Sequence, residues 1–196
     1  MTNLELQKQA NEVRVGIVTA VHSAQSGHPG GSLSVADILT YLYFEEMNID
    51  PKNPKKAGRD RLVLSKGHVA PALYATLSHR GFFPVEDLKT LRHTGSYLQG
   101  HPDMKHIPGV DMSSGSLGQG VSVAVGMAKA AKLDDKDYRV YAICGDGEMQ
   151  EGQIWEAAMW AGAHNLDNLT VIIDNNNLQI DGKIEDVCSP YPIDKK

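Results

Sequence analysis

Two polar side chains lie thirty positions apart, and each follows an apolar run that is typical of a buried strand. Asp146, flanked by glycines, follows residues 138–144, and Asn176 follows residues 169–174. Mg²⁺ prefers oxygen ligands and usually takes one or two carboxylates from a protein, completing its shell with phosphate oxygens and water. Asp146 would supply a carboxylate, Asn176 an amide oxygen and Leu178 a backbone carbonyl. This pattern predicts a site for Mg²⁺, or for Ca²⁺ or Mn²⁺, that carries a diphosphate.

The same residues have a simpler interpretation. Gly-Asp-Gly alone is typical of a turn, and a run of asparagines is typical of a loop. The spacing, the two strand ends and the Asp181-Gly182 pair that follows favour the metal site. The glycines beside Asp146 would also let the backbone turn sharply and approach a phosphate closely.

Further segments accompany this pair, and together they resemble one family. They are Ser-Gly-His-Pro-Gly-Gly at 26–31, Leu-Ser-Lys-Gly-His at 64–68, Gln-Gly-His-Pro at 99–102, Ser-Gly-Ser-Leu-Gly-Gln-Gly at 114–120 and Gly-Asp-Gly-Glu-Met-Gln-Glu-Gly at 145–152. In this order they resemble the N-terminal, thiamine diphosphate-binding half of the transketolase family. The resemblance extends from about residue 13 to about residue 190.

The resemblance implies roles for individual residues. His28 and His101 match residues that face the substrate and move protons, and His68 matches a residue that touches the diphosphate. The other cofactor-binding matches are Gly115, Ser116, Leu117, Gly147, Glu151 and Asn176. Many family members have proline where this chain has Ser116, but the backbone groups that would hold the aminopyrimidine side of the cofactor are unaffected.

Two of these assignments have plain alternatives. His28 and His101 each precede a proline, which favours an extended loop, and a histidine in a loop is often only a solvated surface residue. Glu151 matches an acid in a network between paired active sites. It is equally well explained as an acidic residue at a helix N-terminus, favoured by the helix dipole.

The resemblance also implies a reaction and partners. The reaction is the transfer of a two-carbon ketol unit between ketose and aldose phosphates, with thiamine diphosphate and Mg²⁺ as cofactors. The glutamate that activates the cofactor would come from a C-terminal transketolase subunit or domain, and such pairs would form a homo-oligomer. We expect apolar surface for these contacts at residues 115–125 and 155–160. The chain alone should be inactive.

The family continues beyond the point where residues 190–196 end this sequence, so the expected domain is C-terminally truncated. The chain would then be a short subunit of a split transketolase or a fragment of a longer one. Two other interpretations stay open. One is a non-catalytic module for cofactor binding or assembly. The other is a subunit of a different thiamine enzyme, such as deoxyxylulose phosphate synthase, although the paired Gly-His-Pro segments argue against it.

Composition excludes several classes of protein. The 196 residues, 41% hydrophobic and 22% charged, suit one globular domain spanning residues 1–196. A net charge of −5 without a basic stripe argues against nucleic acid as a partner. We find no signal peptide and no apolar run of the ~18 residues that a membrane span needs. Two cysteines, Cys144 on a strand and Cys188 in a loop, fit a reducing cytoplasm.

Helical and strand patterns alternate along the chain and predict an α/β fold: an open, mostly parallel sheet with helices on both faces, the thiamine diphosphate-binding fold. Strands are expected at 61–64, 138–144 and 169–174. Helices are expected from residue 4 to 21, after an N-cap at Ser34, and at 70–81, 119–133 and 150–164, with a long loop at 95–115. Ligands bind beyond the carboxyl ends of strands in such sheets, where Asp146 and Asn176 fall.

Overall fold

The computed structural model describes residues 1–180 and 182–195, and its centre is a parallel sheet. Within the described residues the sheet has three strands, β1 (Arg61–Leu64), β2 (Val140–Gly145) and β3 (Leu169–Asp174), in the order β1-β2-β3. Gly145 pairs with Asp174 at the carboxyl end. The predictions for β1 and β3 are confirmed, while β2 begins two residues later than predicted and includes Gly145.

One face of the sheet packs against the N-terminal helices. These are α1 (Asn3–Ala24), α3 (Ala36–Tyr41) and α4 (Ala70–Arg80). Leu64 of β1 and Ile143 of β2 meet Ile17, Leu39 and Leu73 in one buried cluster. A capping box at Thr2 and Glu5 begins α1, and Gly81, in the left-handed conformation, ends α4.

The other face packs against α5 (Gln119–Leu133) and α6 (Gly152–Ala163). Val63 and Ala142, whose neighbours along the strands face the first cluster, join Val121 and Ile154 in a second buried cluster. Successive strand residues point to opposite faces, so both faces of a parallel sheet need a helical cover. The predicted α/β fold with helices on both faces is therefore confirmed.

Shorter elements connect these layers. They are α2 (Pro29–Ser34), a π-helical turn (Leu42–Glu46), 3₁₀ turns (Gly67–Val69, Val85–Thr90, Gly147–Gln150 and Ile193–Lys195), a hairpin of β4 (Leu178–Gln179) and β5 (Gly182–Lys183), and α7 (Ile184–Cys188). The sequence patterns did not predict the hairpin or α7. The loop predicted at 95–115 is confirmed, because no helix or strand occurs there.

Two local predictions are wrong. Ser34 does not cap a helix; it ends α2, and its hydroxyl donates a hydrogen bond to Asp174 Oδ1 at 2.8 Å. Val35 precedes α3 without a side-chain cap. Cys188 lies at the end of α7 rather than in a loop.

None of the helices among the described residues combines the length and the apolar character that crossing a membrane requires.

Two glycines of α5 give a paired test of this packing. A Cβ at Gly120 would lie 2.6 Å from Ser65 Oγ and 2.7 Å from Ser65 Cα, whereas a Cβ at Gly126 would meet nothing within 4 Å. Gly120→Ala should lower the free energy of unfolding by about 1–3 kcal/mol, because α5 must move away from β1. Gly126→Ala should raise it by up to about 1 kcal/mol through helix propensity. Urea denaturation of both variants checks this, and equal stabilities would contradict the close approach.

Candidate functional site

Asp146 connects the two loops that follow β2 and β3. Its side chain is 1% exposed, and Oδ2 accepts a hydrogen bond from the backbone N–H of Asn177 at 2.7 Å. Oδ1 accepts one from the N–H of Gly147 at 2.9 Å. The sequence pattern placed Asp146 and the asparagine loop at one edge of the sheet, and the structure brings them into direct contact.

Asn176 and Leu178 lie beside Asp146 in the second loop. Asn176 is half-buried, and its Oδ1 accepts a hydrogen bond from the N–H of Leu178 at 3.0 Å. An amide oxygen has two lone pairs, so one remains for a cation. The side chain of Leu178 is 59% exposed, and its backbone begins the small hairpin. Asp181, also part of the sequence argument, lies outside the described residues.

The oxygen donors suit Mg²⁺ that also binds phosphate. Among residues 1–180 and 182–195, the structure shows no cluster of three or more histidine, cysteine, aspartate or glutamate side chains that could hold a metal ion. The donors would be the buried carboxylate of Asp146, the amide oxygen of Asn176 and the backbone carbonyl of Leu178. This is the sparse protein contribution that Mg²⁺ accepts when phosphates and waters complete its shell. The residues present therefore fit a metal-bound diphosphate.

A buried ion pair, which the sequence analysis missed, lies behind this site. Lys66 Nζ is 2.7 Å from Asp174 Oδ2, and the two side chains are 2% and 8% exposed. Asp174 also accepts hydrogen bonds from Ser34 and, at 3.4 Å, from Asn176 Nδ2. Its backbone carbonyl accepts the N–H of Asp146 at 3.2 Å. A carboxylate closing an apolar strand and a lysine inside Ser-Lys-Gly-His were the signals available in the sequence.

Three imidazoles gather next to Lys66. The rings of His28 and His68 are nearly perpendicular, with centroids 5.0 Å apart. His101 packs on Gly115, where a Cβ would lie 2.7 Å from His101 Cδ2. His68 is half-buried, while His28 and His101 are exposed. The structure therefore brings these predicted site residues together and leaves two of them open to a ligand.

Burial and neighbouring charge favour the neutral imidazole at His68 and at His101. Burial, followed by the charges of Lys66, His28 and His101, lowers the pKa of His68 from 6.5 to about 4. Burial, followed by the charges of Arg92 and His28, also lowers the pKa of His101. Both rings are thus uncharged near neutral pH and each can accept a proton.

Hydrogen bonds from α4 and to the end of β1 anchor the long loop that carries His101. The hydroxyl of Tyr74 on α4 shares its one hydrogen between the backbone carbonyls of Gln99 at 2.9 Å and His101 at 2.8 Å. Further along, Ser114 Oγ donates to the carbonyl of Leu64 at 2.6 Å. These contacts place His101 and Gly115 over the carboxyl end of β1 although the segment has no regular structure.

The remaining predicted cofactor residues line the approach to α5 and α6. The carbonyl of Ser116 accepts the N–H of Gln119 at 3.3 Å, and the side chain of Leu117 is 39% exposed. Glu151 is the exposed N-cap residue of α6, makes no capping bond with its side chain, and packs against Gly118. Its position suits the helix-dipole explanation and leaves its role in a network untested.

Nearly the whole chain matches a described family. Residues 6–192 match the model of the transketolase thiamine diphosphate-binding domain. The chain belongs to this transketolase family.

Relatives and solved structures agree with that assignment. A 6-deoxy-6-sulfo-D-fructose transketolase subunit of a Clostridium species is 50% identical over 98% of this chain and 70% of its own length. An apulose-4-phosphate transketolase subunit of Phocaeicola vulgatus is 50% identical over 95% of this chain and 65% of its own length. Transketolase from Campylobacter jejuni superposes with a TM-score of 0.92 at 41% identity, covering all of this chain and 32% of its own. This transketolase domain thus spans about two thirds of those two relatives and a third of the larger enzyme.

The half-buried imidazole of His68 in this transketolase domain should make stability depend on pH. Unfolded His68 takes up a proton as the pH falls below 6.5, but the folded ring does so only near pH 4. The folded state is therefore destabilised as the pH falls from about 6.5 to 4. The melting temperature of the wild type should fall as the pH is lowered over this range, and that of His68→Gln should fall less. The exposed control His22→Gln should keep it, and identical pH profiles for all three proteins would contradict the assignment.

Proposed function

We propose that this chain forms the cofactor-binding part of a transketolase that transfers a two-carbon ketol unit between ketose and aldose phosphates. The observation that carries the proposal is the meeting of two groups at one edge of the sheet. The first is the oxygen donors around Asp146, and the second is the imidazole cluster of His28, His68 and His101. The first group suits a metal-bound diphosphate, and the second suits proton transfer beside it.

The residues around Asp146 would hold the cofactor. Thiamine diphosphate, when bound, supplies the chemistry that breaks and forms the carbon–carbon bond. The metal ligands would be Asp146, Asn176 and Leu178. His68 and the N–H of Gly147 would contact the diphosphate, and the backbone at Gly115, Ser116 and Leu117 would contact the aminopyrimidine side. The positive end of the peptide dipoles near Gly147 adds attraction for phosphate oxygens.

His28 and His101 would act on the substrate. Both are exposed next to the half-buried His68, so their rings are open to a substrate. The lowered pKa of His101 leaves it able to accept a proton from a sugar hydroxyl at neutral pH. Arg92 donates to Ser26 Oγ at 2.6 Å and also lies against Gly100, where a Cβ would be 2.9 Å from Arg92 Nε, so it contacts both Gly-His-Pro segments.

The names of the relatives support a substrate with an anionic group. One relative is named for a sulfo-sugar and another for a sugar phosphate, and both are named as subunits. We infer that this chain likewise works with a C-terminal transketolase subunit or domain, which would bring the activating glutamate. The preferred sugar would depend partly on that partner.

Exposed apolar side chains support assembly into an oligomer. Met159 and Trp160 on α6 are 70% and 41% exposed, as expected for the segment at 155–160. In the segment at 115–125, Leu117 is exposed and Val123 is half-buried, whereas Val121 and Val125 are buried against the sheet, so the expectation holds only in part. We propose that α6, with Leu117 beside the cofactor loop, meets another subunit.

We further propose a reducing, cytoplasmic setting. Cys144 and Cys188 are free thiols, the first buried and the second exposed. Burial raises the pKa of the Cys144 thiol to about 12, which keeps it unreactive.

The metal site is tested by Asp146→Asn, which keeps the size of the side chain but removes its charge. The assembled protein should bind thiamine diphosphate with Mg²⁺ in titration calorimetry, and the variant should lose detectable binding because the carboxylate ligand is gone. Asp134→Asn, at the exposed end of α5, is the matched control and should bind like the wild type. Equal affinities in the wild type and Asp146→Asn would remove Asp146 from the site.

The histidines are tested by His28→Ala and His101→Ala in the assembled enzyme. If both act on the substrate, cofactor affinity should be unchanged while kcat for ketol transfer falls by about 10² to 10⁴. His22→Ala, exposed on α1, should leave both quantities unchanged. Wild-type turnover in the two variants would return His28 and His101 to the surface-loop interpretation.

A further inference from the structure

Glu148 is a buried acid that the proposed reaction does not use. It lies in the 3₁₀ turn that follows Asp146 and is 3% exposed. Its Oε1 accepts hydrogen bonds from the hydroxyl of Ser65 and, at 2.8 Å, from the N–H of Gly118. Its Oε2 accepts one from the N–H of Gly145 at 3.1 Å. Both carboxylate oxygens are therefore engaged.

These donors belong to different segments of the site. Ser65 begins the segment that contains Lys66 and His68. Gly118 ends the loop that contains Gly115 and is the N-cap residue of α5. Gly145 is the last residue of β2, directly before Asp146. The segments are far apart in sequence, so one side chain that binds all of them fixes their relative positions.

We propose that Glu148 is a positioning residue that holds the diphosphate-binding, aminopyrimidine-binding and metal-binding segments in register for the cofactor. This inference rests on the proposed function for the identity of the ligand. The contacts themselves are independent of it. Glu148 does not touch the cofactor site directly and acts through the backbone at Gly118 and Gly145.

The chemistry of the donors explains why an acid is needed. The peptide N–H groups of Gly118 and Gly145 can only donate, and they bind different oxygens of Glu148. A glutamine of the same size has one acceptor oxygen, and its NH₂ group would face one of these N–H groups. One buried donor is then left without a partner, and the segment that carries it must shift.

Close packing transmits such a shift to the site. Gly118 has a φ of +84°, and a Cβ there would lie 2.7 Å from Glu151 Cβ. A Cβ at Gly67 would lie 2.7 Å from the backbone nitrogen of Gly115. Gly67 meets the backbone of Gly115, and Gly118 meets Glu151 at its Cβ, the side-chain atom attached to the backbone, so a movement of the Gly118 loop displaces its neighbours.

The first test uses Glu148→Gln in the assembled enzyme, with Glu86→Gln, an exposed acid remote from these contacts, as the matched control. Glu148→Gln should weaken thiamine diphosphate binding in the presence of Mg²⁺ by about 10- to 100-fold. Losses of this size are typical when a residue that orients the binding groups, without contacting the bound group itself, is replaced. At saturating cofactor, kcat should recover most of its wild-type value. A role in stability alone would lower the melting temperature and leave the cofactor affinity unchanged, and that result would overturn the proposal.

A second test needs no cofactor. Amide hydrogen exchange of the cofactor-free chain should be faster at one of the two amides, Gly118 or Gly145, in Glu148→Gln than in Glu86→Gln, because one buried acceptor is lost. Unchanged exchange at both amides would overturn the positioning role. If the wild type fails to bind thiamine diphosphate, the proposed function fails, and the exchange rates still decide whether Glu148 holds the segments.

A milder variant covers the case in which Glu148→Gln does not fold. Ser65→Ala removes one of the donors to Glu148 and leaves both peptide contacts in place. It should weaken cofactor binding less than Glu148→Gln does, by roughly threefold, which corresponds to about 0.6–0.7 kcal/mol. A Ser65→Ala protein with wild-type cofactor affinity and wild-type amide exchange at Gly118 would contradict the proposal.

Discussion

The ion pair between Lys66 and Asp174 holds the functional edge of the sheet together. Removing two charges from water costs several kcal/mol for each ion, and their attraction offsets this only when further hydrogen bonds satisfy the pair. Ser34 and Asn176 supply such bonds to Asp174. The pair therefore depends on α2 and on the asparagine loop being in place, and they depend on it. Loss of either charge would leave the other one buried without compensation.

The position of this pair follows from the parallel sheet. Carboxyl ends of neighbouring parallel strands meet at one edge, and the pairing of Gly145 with Asp174 fixes the level at which both chains leave the sheet. The two loops therefore start close together, and the short side chain of Asp146 reaches the backbone N–H of Asn177 directly. Lys66, which follows β1, reaches across β2 to Asp174 on β3. The register of the strands thus determines which loop residues can meet.

Much of the fold and part of the site could be predicted from the sequence, and the difference has a physical cause. Short apolar runs predicted β1 and β3, apolar spacing predicted α4, and a segment rich in alanine, valine and glycine predicted α5. The polar residues after β2 and β3 drew attention to Asp146 and Asn176. Contacts between distant segments have no local signal. Lys66 lies 108 positions from Asp174, and Tyr74 holds the carbonyl of His101 from 27 positions away. The sequence shows these residues but gives no indication of their partners.

The error at Ser34 illustrates the same limit. Serine before an apolar run is a common N-cap residue. A local pattern cannot show that the serine hydroxyl will instead donate a hydrogen bond to a carboxylate 140 positions later in the sequence. Here the tertiary contact replaces the local one, and Val35 precedes α3 without a cap. The serine at position 34 is thus explained by its hydrogen bond to Asp174 and not by capping of α3. The local rule failed at a residue that supports the site, where a buried charge outweighs helix capping.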